Sequence, residues 1–213
     1  MITQRARAGL LLGAVLCAAA FTAPALAHEQ GDWLVKAGVS QVRPKSDNGS
    51  ALNGAIGLDV NNDVKPSISA TYMFTRNLGL DVLAAAPFRH DVYGSGAVNG
   101  QIGTSKQLPP TVSLQWHFLP DQTFQPYVGL GVNYTRFFST RAVGPLAGNH
   151  LELTDSWGLA AQFGVDVKIN DRWFVNASLR YIKIDTDVKL NGTKIGKAEI
   201  DPWVTTIAVG YRF

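Results

Sequence analysis

Large apolar residues along this chain recur at every second position and seldom at every third or fourth, the period of an extended strand. Eight segments carry the pattern. Trp33, Val35, Ala37 and Val39 alternate with Lys36, Gly38 and Ser40, and Ile68, Ala70, Tyr72 and Phe74 alternate with Ser67, Ser69, Thr71 and Met73. Leu78, Leu80, Val82, Ala84 and Phe88 face away from Gly79, Asp81, Leu83, Ala85 and Arg89. The fourth segment sets Leu108, Val112, Leu114, Trp116 and Phe118 against Gln107, Thr111, Ser113, Gln115 and His117. The fifth sets Val128, Leu130, Val132 and Tyr134 against Gly129, Gly131, Asn133 and Thr135. In the sixth, Leu153, Trp157, Leu159, Ala161, Phe163, Val165 and Val167 oppose Ser156, Gly158, Gln162, Gly164, Asp166 and Lys168. In the seventh, Trp173, Val175, Ala177, Leu179 and Tyr181 oppose Asn176, Ser178 and Arg180, and the eighth runs from Trp203 to the last residue, Phe213.

A soluble β-sandwich alternates too, so the period alone does not choose between architectures. Three further features do. The polar face is built of Gly, Ser, Thr and Asn with isolated charges, which suits a cramped barrel interior. Aromatic residues gather near segment ends, as membrane-interface girdles require. Connections alternate between short ones, at 75–77, 120–121 and 170–172, and long ones near 44–62, 91–105, 139–151 and 186–197. The pattern predicts an all-β fold: an eight-stranded antiparallel transmembrane β-barrel with short periplasmic turns and long extracellular loops. Closure of such a barrel pairs the last strand with the first. That would hold the terminal Tyr211 and Phe213, which otherwise end the chain on exposed aromatics.

Residues 1–27 read differently. Arg5 and Arg7 precede an apolar run from Ala8 to Phe21 and a small-residue triplet, Ala25-Leu26-Ala27, which predicts a cleaved signal peptide with the barrel over 28–213. The only cysteine, Cys17, lies in that leader, so no disulfide is available to the remainder. The formal charge of +3 includes the two leader arginines, which leaves no basic stripe for nucleic acid.

At this point the residues resemble the outer-membrane protein W (OmpW) family of eight-stranded barrels. The matching stretches are "AAAPFRHDV" (84–92), "LPPTVSLQWHF" (108–118), "QPYVGLGVNYTRFF" (125–138), "DSWGLAAQFGVDVKIN" (155–170), "IDTDV" (184–188) and "DPWVTTIAVGYRF" (201–213). The resemblance implies a Gram-negative outer-membrane protein offering a narrow, partly hydrophobic route for small apolar molecules. Its implied partners are outer-membrane lipid and lipopolysaccharide, apolar solutes, the barrel assembly machinery, which would read the C-terminal Tyr211 and Phe213, and a bacteriocin. The alternative it leaves open is a non-transporting barrel serving envelope stability, stress response or ligand binding through its loops.

Eight strands enclose a space that side chains can fill, so a wide aqueous pore is excluded. Lys36, Asp81, His117, Asp166, Lys168 and Arg212 fall on the inward phase near the short-turn end and are expected to form a charged periplasmic plug. Leu83 is the inward apolar residue expected to form a constriction, with Arg180 near its level and pairing with Asp81 or Asp166. Farther out the inward residues are small and mostly uncharged, Pro87 among them. Pro87, Pro109 and Pro110 fall on neighbouring strands and each removes a ladder donor, so the wall is expected to open sideways there. His28, His90, His117 and His150 show no paired spacing for a metal. No cofactor is expected, and no serine and histidine share an outward phase that would build an enzyme.

Overall fold

The computed structural model describes residues 28–213; the expected leader, residues 1–27, lies outside them. Fifteen strands follow one another: β1 (Trp33–Arg43), β2 (Gly49–Ala51), β3 (Ile56–Val60), β4 (Asp63–Met73), β5 (Leu78–Ala85), β6 (Phe88–Gly96), β7 (Gly100–Leu108) and β8 (Thr111–His117) come first. They continue with β9 (Phe124–Ala142), β10 (Leu151–Leu153), β11 (Ser156–Lys168), β12 (Trp173–Ile182), β13 (Asp185–Leu190), β14 (Thr193–Glu199) and β15 (Trp203–Arg212). β1, β4, β5, β8, β9, β11, β12 and β15 pair in that order and β15 returns to β1, closing an eight-stranded antiparallel ring.

The long connections are not loose loops. They hold β2, β3, β6, β7, β10, β13 and β14, which with the far end of β9 raise a second tier in the same circular order. Seven of the eight staves that make the wall are therefore a lower strand and an upper one separated by a short break. Only β9 runs through both tiers without interruption. The reason is visible in the sequence of the upper strands, which also alternate: Ala51, Ile56, Leu58, Ile102, Leu151, Val188 and Ala198 turn inward and form a buried apolar cluster.

The two tiers have opposite interiors. In the lower tier the outward face is apolar, with Leu130, Trp157, Leu159 and Phe213 each more than 70% exposed. In water each such side chain would forgo about 1.5–3 kcal/mol of burial, whereas lipid supplies that burial directly. The inward face of this tier is polar and crossed by bonds between strands, such as Ser40 to Ser67 and Ser40 to Thr206, both at 2.7 Å. Closure holds the end of the chain as predicted: Phe213 N–H donates to Trp33 O at 3.0 Å.

Close approach of backbones explains one glycine in particular. A Cβ on Gly158 would collide with the Lys183 carbonyl oxygen, in the break between β12 and β13, where Lys183 N–H donates to Leu159 O at 2.9 Å. Gly158→Ala is expected to cost about 1–3 kcal/mol through displaced backbone. Urea unfolding in lipid vesicles measures it, and an unchanged midpoint would show that the break can give way.

Candidate functional site

The lumen is divided by height into three environments. At the top, the inward cluster of the upper tier surrounds an apolar cavity of about 50 Å³, bordered by Ile56, Leu58, Ile102, Leu151, Val188 and Ala198, with Phe137 and His90 at its edge. His90 Nδ1 lies 2.7 Å from Asn61 O and Nε2 lies 3.0 Å from Gln107 Nε2, so Nδ1–H donates to the carbonyl and Nε2 accepts from the amide. With one ring nitrogen donating and the other accepting, both partners of His90 suit the neutral imidazole.

At the level of the breaks lies an apolar partition of Val42, Phe88, Ala160, Ile182, Ile184, Ile200 and Val204. Beneath it the lumen turns polar. Asp81 sits between Lys36 Nζ at 3.3 Å and Arg180 Nη2 at 3.1 Å, and accepts from Thr71 Oγ1 at 2.8 Å. Arg180 Nε also donates to Gln162 Oε1 at 2.9 Å. From the upper tier downward, then, the lumen narrows first to a hydrophobic partition and then to a buried ionic lattice.

The breaks themselves are sealed almost everywhere around the ring. Val60 N–H donates to Asn48 Oδ1 at 2.9 Å, Ala86 N–H to Pro66 O at 2.9 Å, Tyr134 N–H to Pro110 O at 3.1 Å and Phe137 N–H to Asp155 Oδ1 at 3.1 Å. Lys183 N–H bonds Leu159 O, Ile200 N–H bonds Ile184 O and Lys45 N–H bonds Ile200 O. One seam differs. β5 and β8 pair up to Leu83 and Thr111, and β6 and β7 resume at Phe88 and Gln107. Among the described residues no ladder pair and no other hydrogen bond joins 84–87 to 108–110. Its lips are bonded away from each other: Ala86 turns to β4, while the Pro110 carbonyl accepts from Tyr134 N–H and from Asn133 Nδ2 at 3.0 Å on β9. Pro87, Pro109 and Pro110 carry no N–H, so none of the three can donate a ladder bond across the gap.

The structure thus gathers Pro87, Pro109 and Pro110 at one seam, but their environments differ from the expectation: Pro87 is exposed rather than inward, and Pro109 is buried. Leu83 and Arg180 border a common cavity of about 20 Å³, yet its other walls include Lys36, Asp81 and Asn176. Leu83 is therefore a wall of the polar chamber and not an apolar constriction; Phe88 and its neighbours make the apolar narrowing. Arg180 takes Asp81 and not Asp166, whose Oδ1 accepts from Asn176 Nδ2 at 2.6 Å. Of the plug residues, Lys36 and Asp81 pair directly, and His117 stacks on Tyr127 with centroids 5.0 Å apart. Lys168 Nζ donates to Pro120 O at 3.2 Å, and Arg212 lies 3.7 Å from Asp32 at the rim. Tyr211 packs on Trp173 and Phe213 and accepts from Arg172 Nη1 at 2.9 Å. Most of the cavity lining lies in segments whose composition predicts loops, although Ile56 and Leu58 there already alternate.

A closed barrel with a lipid-facing apolar belt and a side-chain-filled lumen defines an integral outer-membrane β-barrel of the small, non-porin class. The chain belongs to the OmpW family, whose model matches residues 29–213. It is similar to outer membrane protein W of Vibrio cholerae serotype O1, with 43% identity over 95% of this chain and 98% of that protein. Among solved structures, the crystal structure of OprG from Pseudomonas aeruginosa aligns with a TM-score of 0.78 and 34% identity, covering 88% of this chain and 98% of that one. The solid-state NMR structure of outer membrane protein AlkL in lipid bilayers aligns with a TM-score of 0.69 and 26% identity, covering 92% and 97%.

Proposed function

We propose that this outer-membrane barrel takes up small apolar molecules through its upper tier and releases them sideways through the seam between residues 84–87 and 108–110 into the bilayer. The observation that carries this reading is a coincidence of place. The apolar cavity ends on the Phe88 partition, and the seam without hydrogen bonds opens beside that partition. Descent through the lower tier would strip an apolar solute of favourable contacts and force apart the Asp81 lattice, whereas the sideways path leads to hydrocarbon, worth about 0.8 kcal/mol for each methylene buried. The barrel acts in this reading by partitioning, with no chemical step and no cofactor. Its exposed C-terminal strand end, Tyr211 and Phe213, serves insertion by the assembly machinery.

Restoring donors at the seam tests the route. Pro87→Ala with Pro109→Ala lets the lips form a ladder bond worth about 1 kcal/mol, so uptake of an apolar solute into vesicles is expected to fall roughly five-fold. Unchanged uptake in a folded variant would remove the seam from the pathway. A wild-type barrel inert in the same vesicles would favour the loop-binding alternative.

A further inference from the structure

At the periplasmic end the fold unites three residues that lie far apart in sequence: His28, before β1; His117, at the end of β8; and Asp166, on β11. One donor atom from each lies within 4.8 Å of the others. All three side chains are buried, with relative exposures of 2%, 0% and 0%. Four of their polar atoms have no hydrogen-bond partner: both ring nitrogens of His28, His117 Nδ1 and Asp166 Oδ2. A buried polar atom left unpaired costs about 1–3 kcal/mol, so three buried side chains that bring such atoms together demand an explanation.

The remaining atoms of the same side chains are held. His117 Nε2 lies 3.2 Å from Gln115 Oε1, which accepts from it, so the proton sits on Nε2 and the Nδ1 lone pair faces the cluster. Asn176 Nδ2 donates to Asp166 Oδ1 at 2.6 Å and leaves Oδ2 free. Orientation of an imidazole and a carboxylate through their far atoms is the arrangement that surrounds metal ligands. The neighbouring ammonium of Lys36 is turned to Asp81 and Thr71, at 3.3 and 3.1 Å.

We propose that His28, His117 and Asp166 bind one divalent transition-metal ion of the zinc class at the floor of the barrel. Two imidazoles and a carboxylate supply three ligands of a tetrahedral site, with bonds of about 2.0–2.2 Å, and water takes the fourth position. The ion supplies the missing partner of three of these atoms: one ring nitrogen of His28, His117 Nδ1 and Asp166 Oδ2. It also ties the segment before β1 to β8 and β11, reinforcing the contact of His28 N–H with Pro120 O at 3.3 Å. The floor is thereby locked from the periplasmic side, the side from which the ion arrives.

Barrel purified from outer membranes, stripped with chelator and held in detergent, is titrated with Co2+ under visible absorbance, and Zn2+ is then added. One saturable Co2+ per barrel is expected, with the intense bands of four-coordination, displaced by Zn2+. His117→Gln and Asp166→Asn should each weaken binding about ten-fold or more. His150→Ala, on an exposed residue, should not. Folding of every variant is read from its heat-modifiable gel mobility; if either lumen variant misfolds, His28→Ala, outside every strand, gives the same reading. Absence of saturable binding, or affinity unchanged in the folded variants, overturns the proposal.

Discussion

Asp81→Ala is expected to destabilise the barrel by about 3–5 kcal/mol, the cost of leaving buried charge without its partner. Asp81 is 1% exposed and stands between two cations that are themselves buried, Lys36 and Arg180. Its removal strands both, and neither can reach water past Tyr127 below or the Phe88 partition above. The comparison that separates pairing from packing replaces all three residues, as Lys36→Met, Asp81→Leu and Arg180→Met. That variant is expected to be at least as stable as the parent, since apolar replacement of a buried ionic group is often neutral or favourable. Urea unfolding in lipid vesicles, followed by tryptophan fluorescence, reads both. A single-variant loss below about 1 kcal/mol would mean that lumen water already solvates the lattice.

The second large effect is on uptake. Ala198→Trp places an indole in an apolar cavity of about 50 Å³, whose wall Ala198 forms on β14. The space a solute would enter is then filled, and making room costs about 1–3 kcal/mol of repacking, so uptake is expected to fall by about 5- to 150-fold. Of the strands of the lower ring only the far end of β9, at Phe137 and Thr140, lines this cavity, so the ring should keep its stability. Leu83→Trp is the informative control: Leu83 borders the polar chamber beneath the partition, so a sideways route leaves uptake intact. Loss of uptake in Leu83→Trp together with retention in Ala198→Trp would place the pathway through the lower lumen instead.

Much of this architecture was legible in the alternation of large and small residues. Lipid on one side and a crowded lumen on the other impose the same two-residue period on every lower strand, so Trp33 to Val39 and Trp203 to Phe213 announce both their faces and their pairing. The upper tier was harder to read because its strands are short and interrupted by Gly and Asn, a composition that also suits loops. Leu83 illustrates a different limit: it does face inward, but whether an inward leucine meets apolar or ionic neighbours depends on five other strands, β1, β4, β9, β12 and β15. The histidines show the same limit more sharply. Spacing along the chain carries no information about His28, His117 and Asp166, because barrel closure and strand tilt bring them together.

β9 alone passes from one end of the wall to the other without a break. The lip of the seam formed by β7 and β8 is laddered along that strand at both heights. The opposite lip, β5 and β6, is laddered to β4 and β3, which are themselves interrupted at 61–62. The two lips are therefore mechanically unequal, like a gate with one post set in the ground. On the proposed sideways route, any widening of the seam would fall to the β5–β6 side at Ala86 and Pro87, because the β7–β8 side is laddered to the unbroken β9.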